Sequence, residues 1–160
     1  MIDIVRTCYD DPAHAGALLD LMGQYARDPA GGGEALGDFA REHLIAELAA
    51  RPFIFSVLAF DGDMPVGLVN AIEGFSTFAC RPLVNVHDVV VTASHRGRGI
   101  AAHMFAEVEA IARERGACKL TLEVLEGNAS ARALYQRLGF AAYQLDPTLG
   151  HAQFLQRWLT

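Results

Sequence analysis

Apolar side chains recur along this chain with two different periods, and the switches between them mark out the elements. Residues 2–8 read as a first strand. From Pro12 to residue 27 the spacing becomes helical, with Leu18, Leu19, Leu21 and Met22 on one side. The run Asp28-Pro29-Ala30-Gly31-Gly32-Gly33 breaks that helix. Residues 36–50 form a second helix striped by Phe39, Leu44 and Leu48, and Arg51-Pro52 ends it. The aromatic-rich run 53–60 has strand length, Asp61-Gly62-Asp63 is a hairpin turn signal, and 64–73 returns as a strand. Residues 75–82 read as an irregular connection and 83–92 as a fourth strand centred on Val89, Val90 and Val91.

The second half alternates element types. Residues 97–115 place Ile100, Met104, Val108 and Ile111 on one helical face, and Gly116 follows the last turn. In 119–125, Leu120, Leu122 and Val124 alternate against Thr121 and Glu123, as in a half-buried strand. A short helix over 128–138 stops at Gly139, and 140–145 and 153–159 read as two closing strands. There is no internal repeat and no low-complexity tract. The pattern predicts one α+β domain over residues 1–160, with a mixed central sheet of about seven strands flanked by about four helices.

Composition agrees with a single globular core: 160 residues, 52% apolar and 20% charged. No apolar run approaches the roughly 20 residues of a membrane-spanning helix. The first residues carry Asp3 and Arg6 and read as a strand, not a leader, so a cytoplasmic protein is expected. Cys8, Cys80 and Cys118 include no CxxC pair, which argues against a disulfide framework or a metal site. Cys8 and Cys118 are expected as buried thiols and Cys80 in a loop. The net charge of −6 argues against general nucleic-acid binding and weakly favours cationic small molecules.

Candidate chemistry concentrates after the fourth strand. Val89, Val90 and Val91 feed a loop containing Arg96, Gly97, Arg98 and Gly99, which opens the long helix at Ile100 and Ala101. Free N–H groups at a helix start make an anion site, and the arginines add charge. Residues Gly97 to Ala102 satisfy GxGxxG/A, the dinucleotide fingerprint, with Glu123 further on. In that fingerprint, however, the turn follows its strand almost directly, whereas here five residues separate Val91 from Gly97.

Arg96, Gly99 and Ala101 also fit R-x-x-G-x-A, and Asn128, Ala131, Tyr135, Arg137, Gly139 and Phe140 fit N-x-x-[AS]-x-x-x-Y-x-[KR]-x-G-F. These two landmarks, one strand apart, resemble the GNAT superfamily of N-acetyltransferases. The resemblance covers the element order, with its motifs in residues 85–143. It implies acetyl-CoA as the acetyl donor and direct attack by a primary amine of a small molecule in a ternary complex. It implies that the backbone of Val89, Val90 and Val91 pairs with the pantetheine arm. The amides of Arg96, Gly97, Arg98, Gly99, Ile100 and Ala101 would hold the pyrophosphate, and Asn128 would touch the coenzyme as well as cap its helix. Tyr135, two turns after Asn128, is the expected general acid; a phenol with a pKa near ~10 stays protonated at neutral pH. The alternative for Tyr135 is a core tyrosine.

His87 is the expected base, with Asp88, Glu73, His151 and water as other candidates. Strand alternation allows only one of His87 and Asp88 to face the acceptor. Residues 75–78 and 83–88 look like the diamine acetyltransferase branch, although that branch has Glu-Asp where this chain has His87-Asp88. Arg27, Asp28, Phe75, Phe78 and His151 are candidate acceptor-pocket residues, and Gly31-Gly32-Gly33 is either a lid or a plain loop. Homodimers are common in the superfamily. Two rivals remain: a non-catalytic acyl-CoA-binding module of the same fold, and a dinucleotide-binding oxidoreductase.

Overall fold

Five strands form one sheet among residues 1–159, which the computed structural model describes. They are β1 (Ile2–Arg6), β2 (Ile54–Asp61), β3 (Met64–Ser76), β4 (Arg81–Val91) and β5 (Leu120–Leu122), side by side in chain order. The first four pair antiparallel, and β5 runs parallel to β4, so the sheet is mixed. A parallel neighbour needs a crossover, and the long helix between β4 and β5 supplies it. The four α-helices among the described residues are α1 (Pro12–Arg27), α2 (Asp38–Ala49), α3 (Ile100–Glu114) and α4 (Ala129–Arg137). The chain divides into two compact units, Met1–Leu122 and a second starting at Glu123.

In the first unit, the two faces of the sheet are separated by strand parity. Leu58 and Leu68 face one another in register, and with Val90 they pack against Ala17, Leu18 and Leu21 of α1 and Leu48 of α2. Ala59 and Gly67 also face one another and point the other way, so that a Cβ on Gly67 would meet Met104 of α3 at 2.9 Å. The sheet is therefore covered by α1 and α2 on one face and by α3 on the other. Leu18, Leu21, Leu58, Leu68 and Met104 are fully buried. Burial of each such side chain contributes about 1.5–3 kcal/mol. Asp11 caps α1 by accepting from the Ala13 and His14 amides, with Pro12 at the first helical position.

Several expectations are corrected. The closing strands expected at 140–145 and 153–159 are absent, which leaves five strands where about seven were expected. Both segments carry strand-like composition, and Ala152 N–H donates to Tyr143 O at 3.3 Å, but no ladder forms there among the described residues. Strand-like composition alone does not make a strand, which also needs a paired neighbour. β5 is likewise shorter than its alternating pattern. Residues 75–82 are no irregular connection: β3 and β4 run on as a hairpin to Ser76 opposite Arg81. That stretch projects beyond the core with Phe75 and Phe78 exposed, so burial imposes no alternation on it. Cys8, Cys80 and Cys118 are all exposed, not buried. The long helix starts at Ile100, because Gly97 and Gly99 take left-handed φ values of 77° and 78°.

Candidate active site

A bulge in β4 shapes the site. Asn70 pairs with Asp88, but Ala71 pairs with Val86, so His87 is an extra residue on β4. Bulges break the alternation of a strand and re-aim side chains. Val86 lies opposite Ala71 and so on the α3 side, whereas Asp88 lies opposite Asn70 on the α1 side. Two positions that would normally share a face are thus on opposite ones. Strict alternation therefore does not decide whether His87 and Asp88 face the same side. His87 is exposed and Asp88 half-buried.

The edge of β4 away from β3 also changes at this point. β5 pairs with β4 only from Val84 to Val86. From His87 to Val91 that edge has no strand partner among the described residues. Val90 is buried, while Val89 and Val91 are half-buried.

The loop that follows is anchored at its base. Thr92 N–H donates to Val66 O at 2.9 Å. His95, buried within the loop, has Nε2 3.3 Å from Asp61 Oδ2 and Nδ1 2.8 Å from Ser94 Oγ and 3.2 Å from Thr92 Oγ1. Arg96, Gly97, Arg98 and Gly99 are exposed beyond this anchor. Among the described residues, no acceptor takes the N–H groups of Gly97, Arg98, Gly99, Ile100, Ala101 or Ala102, and Gly99 caps α3 without a side-chain bond. Successive free amides at a helix N-terminus, with the dipole behind them, form an anion-binding concavity. Both loop arginines already have carboxylate partners: Arg96 Nη2 lies 3.0 Å from Asp28, and Arg98 Nη1 lies 3.6 Å from Asp61. Arg96 Nε also donates to Val91 O at 3.1 Å.

Asp28 belongs to a tightly folded turn. Its side chain accepts from Ala30 N–H, and its carbonyl accepts from Gly31 and Gly33 N–H. The Ala30 amide first, and the Arg96 guanidinium second, hold the Asp28 carboxyl below its usual range. Gly31 lies so close to Tyr25 that a Cβ would meet the Tyr25 carbonyl at 2.0 Å. Gly31 is therefore packed onto the end of α1, while Gly32 and Gly33 are exposed. Burial raises the Tyr25 hydroxyl pKa, and the nearby charges of Asp88 and Asp28 raise it further.

Two polar side chains lie in the middle of the sheet without being foreseen: Ser56 and Asn70, bonded to one another and, through Asn70, to Asp88. A polar residue amid an apolar run, Ser56 in 54–60 and Asn70 in 64–72, was the available signal, since buried polar groups take partners. His95 was missed for lack of any periodic signal in a loop.

In the second unit, Asn128 Oδ1 accepts from Ala131 N–H at 3.2 Å, the expected cap of α4. Tyr135 is half-buried and meets the Phe140 ring edge-on at 6.0 Å between centroids. Of the sequence-derived candidates, the first unit brings together His87, Asp88, Val89–Val91 and Arg96–Ala101, and α4 carries Asn128 and Tyr135. His151 is exposed.

The sequence model of the Acetyltransferase (GNAT) family matches residues 18–140. Streptothricin acetyltransferase of Streptomyces lavendulae is 36% identical over 95 residues, which is 59% of this chain and 48% of that protein. The chain spans about half, or less, of the length of the curated relatives it matches. A transcriptional regulator from Bacillus halodurans C-125 superposes with a TM-score of 0.81 at 18% identity, covering 99% of this chain and 100% of the other. The aminoglycoside acetyltransferase AAC(6')-Iy, in complex with a bisubstrate analogue joining CoA to acetylneamine, superposes with a TM-score of 0.78 at 18% identity, covering 99% of each chain. These two superpositions concern the fold, and their differing names show why a fold alone does not assign chemistry.

Proposed function

Because this chain belongs to the acetyltransferase (GNAT) family, we propose that it is an N-acetyltransferase that takes its acetyl group from acetyl-CoA and passes it to a primary amine of a small cationic molecule. The row of unclaimed amides from Gly97 to Ala102 carries this proposal. It suits a diphosphate, with Arg96 and Arg98 as flanking cations. The open edge of β4 at Val89, Val90 and Val91 suits the pantetheine arm. When bound, acetyl-CoA supplies an activated thioester, and the protein aligns amine and acyl carbon.

The remaining roles fall to side chains. The amine must shed a proton before it attacks, and His87, exposed at the bulge beside Asp88, is the proposed acceptor. Tyr135 is the proposed donor to the departing sulfur, and Asn128 a second contact for the coenzyme; both rest on the sequence motif. The acceptor class draws on streptothricin acetyltransferase and the aminoglycoside enzyme, with the chain's negative charge consistent with a cationic amine. A cytoplasmic homodimer is also expected, and sedimentation would test the dimer.

Thiol release from acetyl-CoA across a panel of amines (streptothricin, neamine, diaminobutane, lysine) tests the activity. We expect release with at least one of them. Binding of acetyl-CoA without release from any would instead identify a non-catalytic sensor. Gly99→Glu puts a side chain at a left-handed φ and a negative charge into the amide row, and is expected to abolish acetyl-CoA binding in a folded protein. Tyr135→Phe should lower kcat by roughly 10–100-fold with little change in the KM for acetyl-CoA. Equal losses in both would make it a packing residue.

A further inference from the structure

The buried polar row across the sheet is not explained by the coenzyme loop. Ser56 and Asn70 are 2% and 5% exposed. They are register partners on β2 and β3, and Asp88 is the partner of Asn70 on β4. The row is bonded from end to end: Tyr9 OH lies 2.9 Å from Ser56 Oγ, Ser56 Oγ lies 2.6 Å from Asn70 Oδ1, and Asn70 Nδ2 lies 3.0 Å from Asp88 Oδ2. The amide nitrogen also reaches Met22 Sδ at 3.3 Å.

Chemistry sets the direction of each bond. An amide oxygen only accepts, so Ser56 spends its one proton on Asn70, and Tyr9 must donate to Ser56. Burial raises the Tyr9 pKa, so it stays a donor at neutral pH. The amide nitrogen is thereby turned towards Asp88, the arrangement an ionised carboxylate favours. Turned over, the amide would set its oxygen against that carboxylate. An apolar core here would avoid the penalty of desolvating three polar groups. What the row delivers is orientation. Asp88 Oδ2 is held, and Oδ1 has no hydrogen-bond partner among the described residues.

We propose that Asn70, oriented by Ser56 and Tyr9, is a positioning residue that holds Asp88 with Oδ2 occupied and Oδ1 free to accept an N–H of the incoming amine. This rests on the acetyl-transfer activity proposed above. Asp88 stands next to His87 at the bulge, within the stretch of β4 that β5 leaves unpaired, so a carboxylate oxygen fixed there would hold the amine near its proton acceptor.

The test compares wild type with Asn70→Asp, Asp88→Asn, the exchange Asn70→Asp/Asp88→Asn, and Ser56→Ala, using the amine panel. Asn70→Asp should lower kcat/KM for the amine by at least about tenfold and leave the KM for acetyl-CoA within about twofold. The exchange keeps a donor–acceptor pair between β3 and β4 with Ser56 still donating, so it should recover the wild-type Tm. It moves the carboxylate off β4, so kcat/KM for the amine should stay low. Ser56→Ala, the mildest change, should fold and lose about threefold in kcat/KM for the amine. Unchanged amine kinetics in both Asn70→Asp and Ser56→Ala, or an exchange that recovers Tm and turnover together, would overturn the positioning role alone. Absence of CoA release by wild type with every amine would overturn the activity itself, and this role with it.

Discussion

Arg96 is held by Asp28 before any anion reaches it. The pair joins the end of α1 to the start of the amide row at 3.0 Å, and the guanidinium is well exposed. An exposed pair of this kind is worth no more than about 1 kcal/mol. Replacing Asp28 with Asn keeps an oxygen for the Ala30 amide and removes the competing charge. We expect Asp28→Asn to bind acetyl-CoA about two- to fivefold more tightly at low salt, and the gain to shrink at about 0.5 M salt; calorimetric titration at both concentrations checks it. The pH dependence follows from the lowered carboxyl. A depressed folded-state pKa means a contribution that is present above the unfolded value and lost as pH falls through the folded one. The contact thus persists at neutral pH and opens only in acid.

At the level of elements, two bulges do most of the placing. One puts Val66 out of step between Ala59–Gly67 and Phe60–Pro65, where the missing N–H of proline already interrupts the ladder. Its carbonyl is then available to Thr92 N–H, which pins the start of the glycine loop before α3. The other puts His87 out of step and turns Asp88 towards α1. Gly67, beside the first bulge, lets α3 lie against the sheet: a Cβ there would stand 2.9 Å from Met104 Cε and 3.2 Å from Ala59 Cβ. Met104 can yield, but the Ala59 Cβ moves only with its strand. Gly67→Val should therefore destabilise by about 1–3 kcal/mol, readable as a lowered denaturant midpoint with an unchanged m-value. A neutral outcome would mean that α3 stands off the sheet at this point.

For the whole molecule, the formal charge of −6 sets a field that attracts cationic acceptors and works against an anionic coenzyme. The local cations at Arg96 and Arg98 offset it only at the loop. Rising ionic strength should therefore raise the KM for a polycationic amine such as neamine several-fold between about 0.05 and 0.5 M salt. The KM for acetyl-CoA should change less, since attraction by the arginines and repulsion by the whole are screened together. Steady-state rates across a salt series separate the two, and parallel shifts would mean that the net charge steers neither substrate.

Local chemistry determined a good part of this protein without any help from the fold. Helix periodicity located α1 to α3, because each carries an apolar stripe, while Asn128 and Gly139 bounded α4. Gly97 and Gly99 announced a left-handed loop with free amides at the start of α3, because these are local properties of the backbone. Other features depended on neighbours. The β4 bulge exists only in register with β3, so no single-strand pattern could show that His87 and Asp88 escape strict alternation. The row from Tyr9 through Ser56 and Asn70 to Asp88 joins residues far apart in the chain, and only sheet pairing aligns them. Residues 140–145 and 153–159 have the composition of strands, but a strand is defined by pairing with a neighbour, and only the tertiary structure decides whether that pairing forms.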